Sequence, residues 1–125
     1  MLPKLDMRST RKPVLISVYG PTPGTVYPID GELVIGRADD ASITVQDDRV
    51  SRHHTRLVVR GPESVHVEDL GSKNGTWING RRVATAELQN GDTLQVGNET
   101  VFHFVYRDPI EQRLQERQKL EAIGR

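Results

Sequence analysis

From Pro13 to Tyr106 the chain is a succession of short apolar or β-branched runs separated by Gly, Asn, Asp and Pro, the pattern of an all-β domain. Strands are expected near Val14–Val18, Thr25–Tyr27, Glu32–Ile35, Ser42–Val45, His54–Val59, Ser64–Glu68, Thr76–Ile78, Arg82–Ala84, Thr93–Val96 and Glu99–Tyr106. Asn79-Gly80 and Asn90-Gly91 supply the positive-φ residues that tight hairpins need, and Gly97-Asn98 offers another such pair. Consecutive strands are therefore expected to pair antiparallel. In the last strand Val101 and Val105 fall on one face and Phe102, Phe104 and Tyr106 on the other, so both sides should be at least partly covered. That favours a two-sheet antiparallel β-sandwich of about ten or eleven short strands over an open sheet.

A chain of 125 residues has room for one domain with a substantial core and no room for a second. Its seventeen basic and seventeen acidic residues cancel, so no summed field draws it onto nucleic acid or an anionic membrane, and any anion it binds must be held locally. Cysteine is absent, which excludes disulfides and thiolate chemistry and fits a reducing cytoplasm. No apolar run approaches a membrane span. Residues 1–12 lack the apolar stretch of a secretory signal and read as a flexible leader, followed by the domain proper at 13–107.

At Asp108 the period changes. Asp108 can cap a helix, Pro109 suits its first turn, and Glu111 completes a capping-box spacing. Residues 108–125 are expected to form a helix too sparse in apolar positions to be core, acting as a connector to something downstream.

Three clusters carry chemical interest, and each is ordinary alone. Gly36-Arg37 follows the apolar run Leu33-Val34-Ile35, so the arginine leaves the sheet at a strand end, where loops gather. Ser51-Arg52-His53-His54 lies between the polar Asp47-Asp48-Arg49 and a strand. Adjacent histidines on extended chain point to opposite faces, which disfavours zinc and favours a structural hydrogen-bonding role. The third is the glycine-rich stretch Asp69-Leu70-Gly71-Ser72-Lys73-Asn74-Gly75-Thr76 running into Trp77-Ile78-Asn79-Gly80. It lacks the Lys-Ser/Thr ending of a P-loop.

In this order and spacing, Gly36-Arg37, Ser51-x-x-His54 and Ser72-x-Asn74-Gly75-Thr76-x-x-Asn79-Gly80 resemble the signature of the forkhead-associated (FHA) domain. The trailing Leu88-x-x-Gly91-Asp92-x-Leu94-x-Val96-Gly97 is similar to the family's closing strands, so the resemblance covers roughly Val14 to Tyr106. It implies a sandwich whose loops at one end grip a phosphothreonine in a partner protein, in preference to phosphoserine, with no cofactor or metal. By the same resemblance Arg37, Ser51, Arg52 and Asn74 contact the ligand, while Gly36, His54, Gly75 and Thr76 shape the loops. Asn79 either holds a turn or touches the peptide. At Lys73 the family often carries threonine, and the lysine either adds a third positive charge or swings into water. The physical chemistry agrees. A phosphothreonine brings about −1.5 to −2 charges and several strong acceptors, which suit the planar fork of Arg37, the short hydroxyl of Ser51 and the amide of Asn74.

The rival is a phospho-independent interaction domain of the same fold. A hydrolase built on Ser51, the histidines and Asp69 is disfavoured because no strand-to-helix nucleophile elbow surrounds the serine, and the chain is read as a non-enzyme. Gln118–Arg125 is similar to the stretch preceding the phosphoacceptor helix of sensor histidine kinases, which implies a downstream kinase or other output domain.

Overall fold

A computed structural model describes residues 11–20 and 22–108. The expected helix at 108–125 and the leader up to residue 10 lie outside the described residues, Asp108 excepted. Lys12, assigned to the leader, already belongs to a strand.

Two sheets pack face to face. The six-stranded sheet runs β2 (Val26–Pro28), β1 (Lys12–Tyr19), β11 (Thr100–Arg107), β10 (Thr93–Val96), β7 (Thr76–Ile78), β8 (Arg81–Val83). The five-stranded sheet runs β4 (Ile43–Thr44), β3 (Glu32–Gly36), β5 (Thr55–Gly61), β6 (Ser64–Asp69), β9 (Thr85–Leu88). Strand β9 lies outside the strands expected from the sequence, since Thr85-Ala86-Glu87-Leu88 offers only Leu88 as a buried apolar side chain. It joins the sheet as an edge beside β6.

The expectation that consecutive strands pair antiparallel holds for β1–β2, β5–β6, β7–β8 and β10–β11. It fails at β3–β4, which is a two-residue parallel pairing, Ile35 with Ile43 and Gly36 with Thr44, and the other consecutive strands do not pair with each other. Asn90-Gly91 connects β9 to β10, strands that lie in different sheets. The turn residues there reverse the chain between layers without closing a hairpin.

Period-two alternation sends Leu15, Phe102, Phe104, Leu94 and Val96 from one sheet, and Leu33, Ile35, Leu57, Val65 and Val67 from the other, into one shared core. Phe104 and Leu57 are fully buried, and each such side chain contributes about 1.5–3 kcal/mol by leaving water. Tyr27 meets Phe102 edge to face with ring centroids 6.2 Å apart.

Register decides where the loops gather. Ile35 pairs with Thr55 and Thr55 with Asp69, so the end of β3, the start of β5 and the end of β6 lie side by side. In the other sheet Thr76 pairs with Val96 and Val96 with Thr100 at the same end. The loops 37–42, 45–54 and 70–75 therefore emerge together.

Candidate functional site

The strand β3 ends against the 51–53 backbone, which Gly36 makes possible: a Cβ at that position would overlap the Arg52 carbonyl oxygen. The approach is fixed by Arg37 N–H donating to Ser51 O at 3.0 Å, Ala38 N–H to Arg52 O at 3.0 Å and His54 N–H to Ile35 O at 2.9 Å. Arg37 leaves this corner exposed, its Nε–H donating to the Val50 carbonyl at 3.0 Å. That bond fixes the guanidinium through Nε alone, and its terminal nitrogens have no acceptor among the described residues.

His54 is fully buried. Its Nδ1 accepts the Ser51 N–H at 3.0 Å, so the ring proton sits on Nε2, which donates to the Gly75 carbonyl at 2.7 Å. The Leu70 N–H donates to His54 O at 2.9 Å. One residue thus ties loop 45–54 to loop 70–75. His53 points the other way, to an exposed pairing with Asp40 at 2.8 Å. Its hydrogen bond and charge hold the Asp40 carboxyl below its usual range.

Loop 70–75 is wound around Asp69. The carboxylate accepts the Gly71 and Ser72 N–H groups at 3.1 and 2.9 Å, the Ser72 hydroxyl at 2.6 Å and the Thr76 hydroxyl at 2.7 Å. Burial pushes the Asp69 carboxyl up, but these hydrogen bonds outweigh it and hold the group below its usual range. Because the Thr76 proton goes to Asp69, the 2.7 Å contact between Thr55 and Thr76 is donated by Thr55. Ser72 Oγ in turn accepts the Gly75 N–H at 2.9 Å. Gly75 itself has φ +94°. Asp69 heads the glycine-rich stretch, and its Asp-x-Gly-Ser spacing is the sequence signal that it organises a turn rather than acting as a catalytic acid.

The winding brings Lys73 and Asn74 to Ser51. The Lys73 N–H donates to Ser51 Oγ at 3.3 Å, and Asn74 Nδ2 donates to the Arg49 carbonyl at 2.7 Å. Ser51 Oγ accepts here, and its proton has no acceptor among the described residues. The Lys73 side chain is exposed and has no ion pair among the described residues. Arg52 is exposed, its charge close enough to Asp40 to help keep that carboxyl ionised. Arg37, Ser51, Arg52, Lys73 and Asn74 thus share one loop cluster, supported by Gly36, His54, Gly75 and Thr76. Asn79 does not join them. It sits in the β7–β8 turn at φ +51°, with Nδ2 on Asp92 at 2.9 Å and Oδ1 accepting the Thr93 N–H at 2.9 Å. Both amide atoms hold the turn.

Comparison with known proteins agrees with this arrangement. The FHA domain family model matches residues 33–97, more than half of the chain. An FHA domain-containing protein FhaB of Mycolicibacterium smegmatis is 34% identical over 103 residues, covering 81% of this chain and 65% of its own length. The chain spans less than two thirds of that relative, and 44% of FhaB from Mycobacterium tuberculosis. Among solved structures, one described as an analysis of phosphothreonine-dependent FHA domain interactions superposes with a TM-score of 0.67 at 28% identity, covering 75% of this chain and 95% of that one. Mycobacterium tuberculosis EmbR in complex with a low affinity phosphopeptide gives a TM-score of 0.68 at 28% identity, covering 75% of this chain and 24% of EmbR. The chain belongs to the FHA domain family.

Proposed function

We propose that the chain docks proteins by binding a phosphorylated threonine, with Arg37, Ser51 and Asn74 as the principal contacts and Arg52 and Lys73 adding charge. One observation carries the reading. At a single loop cluster, Lys73 N–H occupies the oxygen of the Ser51 hydroxyl, beside a guanidinium held through its Nε–H, and among the described residues neither the Ser51 hydroxyl proton nor the terminal nitrogens of Arg37 have an acceptor. Fixed donors of this kind suit a phosphate dianion better than diffuse charge does. After bonding Arg49, Asn74 has one amide hydrogen and its side-chain oxygen left over among the described residues, which suits a peptide amide next to the phosphoresidue. The dependence of related FHA domains on phosphothreonine supports the same reading.

Binding rather than catalysis follows from the state of the histidine. Ser51 and His54 are joined through the serine N–H, not its hydroxyl, and the other ring nitrogen is spent on Gly75. The ring is not placed to take a proton from Ser51 Oγ. No helix among the described residues is long and apolar enough to cross a membrane. The reading places the module in the cytoplasm. The test is titration with paired phosphorylated and unphosphorylated threonine peptides. Binding only when phosphorylated is expected; equal binding would favour the phospho-independent alternative.

A further inference from the structure

Beside the phosphate loops, the six-stranded sheet carries a second arginine, held against an aromatic ring. Thr76 is buried and Ile78 packs on the core, so Trp77 between them lies on the outer face. Its cross-strand partner is Arg82, whose guanidinium carbon stands 5.9 Å from the indole centroid. The Trp77 N–H donates to the Asn74 carbonyl at 3.2 Å, fixing the ring against the loop that carries Asn74. A Cβ on Gly75 would come within 2.6 Å of Arg82 Nε. Arg82 therefore occupies the space beside Gly75, next to the residue assigned to the peptide backbone.

An aromatic face orients a guanidinium without neutralising it. Arg11, Arg49 and Arg56 are each held by a carboxylate, whereas Arg82 has none among the described residues. Across Asn74 the charge reverses. Arg49, whose carbonyl Asn74 holds, is itself bound to Asp47 at 3.3 Å and Glu99 at 3.0 Å. Those acids, Asp48 and Arg49 line an open groove of about 1070 Å³, three carboxylates against one guanidinium. The site is cationic on one flank of Asn74 and acidic on the other, although the whole chain is neutral.

We propose that Arg82, held on Trp77, is a second anion subsite that reads an acidic side chain or a second phosphate flanking the phosphothreonine of the same partner segment. The inference rests on the phosphothreonine reading and adds a direction to it: an acidic residue is favoured on the flank that crosses Gly75 and disfavoured on the flank that crosses Asp47 and Glu99.

The test uses the full chain and a singly phosphorylated threonine peptide with alanine flanks as reference. Glutamate or phosphoserine is then placed at one position at a time on either side. On one flank, glutamate should tighten binding by about 3- to 10-fold, the range of a partly exposed charge-assisted hydrogen bond, and on the other it should weaken it. The readout within each variant is the ratio of acidic to reference affinity, so a general loss of folding or binding cancels. Arg82→Gln should bring that ratio close to one, and Arg82→Lys should keep part of it, since charge remains while the planar fork is lost. A ratio unchanged in Arg82→Gln, or equal effects of acid on both flanks, overturns the subsite. If the reference peptide binds but acid has no effect, the subsite falls and the phosphothreonine reading stands. If wild type binds no phosphothreonine peptide, both fall. A gain from phosphoserine without one from glutamate assigns the subsite to a second phosphate.

Discussion

His54 Nε2 lies 2.7 Å from the Gly75 carbonyl while its Nδ1 takes the Ser51 N–H at 3.0 Å, so one buried ring sets the distance between the loop that offers a hydroxyl and the loop that offers an amide. Neither loop has regular structure across this gap, and no apolar side chain could serve both a donor and an acceptor. His54→Ala removes both bonds and leaves the part-buried Ser51 N–H without its partner. We expect a loss of roughly 2–4 kcal/mol in denaturant unfolding together with weaker phosphopeptide binding. Unchanged stability would remove His54 from this role.

Arg37→Ala should separate what His54→Ala couples. The side chain is exposed and its one hydrogen bond among the described residues is to the Val50 carbonyl, so unfolding should change by no more than about 0.5 kcal/mol. Losing a charge-assisted contact to phosphate should cost about 2–4 kcal/mol of affinity, measured by calorimetric titration. Wild-type affinity in this variant would mean the pocket is elsewhere.

Gly36→Ala tests whether the arginine's position depends on backbone contact. The added methyl would overlap the Arg52 carbonyl, forcing apart the bonds from Arg37 N–H to Ser51 O and from Ala38 N–H to Arg52 O. Overpacking of this kind costs about 1–3 kcal/mol, and affinity should fall with stability although no ligand contact has been changed. A variant that keeps both would show that the loop can retreat freely.

The sandwich was legible because its strands are bounded by residues whose backbone freedom the turns require, as at Asn79-Gly80, where both φ angles are positive. The β3–β4 pairing was not, since a two-residue parallel contact leaves no periodic trace in Ser42-Ile43-Thr44-Val45. Within the site, Arg37, Ser51 and Asn74 were visible as residue types that suit phosphate and amide. What holds them was less so. Asp69 acts through four hydrogen-bond donors that are close only once the loop is wound, and the Trp77–Arg82 pair depends on the register of β7 with β8. Asn79 shares the signature spacing but is spent on Asp92 and Thr93, a division of labour that spacing alone does not reveal.

The Asp69 carboxylate gives the loop an acid limit. Its hydrogen bonds hold it below its usual range in the fold, so the folded state favours the ionised form more than the unfolded chain does. The stabilisation is therefore fully present above the unfolded value of about 3.9 and is lost as pH falls through the lower folded value. Above about pH 5 Asp69 contributes no slope, and below it wild-type stability should fall. Asp69→Asn should flatten that part of the acid limb. At neutral pH the same variant should be destabilised by about 1–3 kcal/mol. An asparagine amide must turn its NH₂ either towards the Gly71 and Ser72 N–H groups or towards the Ser72 and Thr76 hydroxyls, which need an acceptor there. Phosphopeptide affinity should drop with it, because Lys73 and Asn74 ride on the same loop. Urea unfolding from pH 3 to 7, followed in parallel for wild type and variant, checks the sign: an acid limb equally steep in both would mean that another carboxylate sets it.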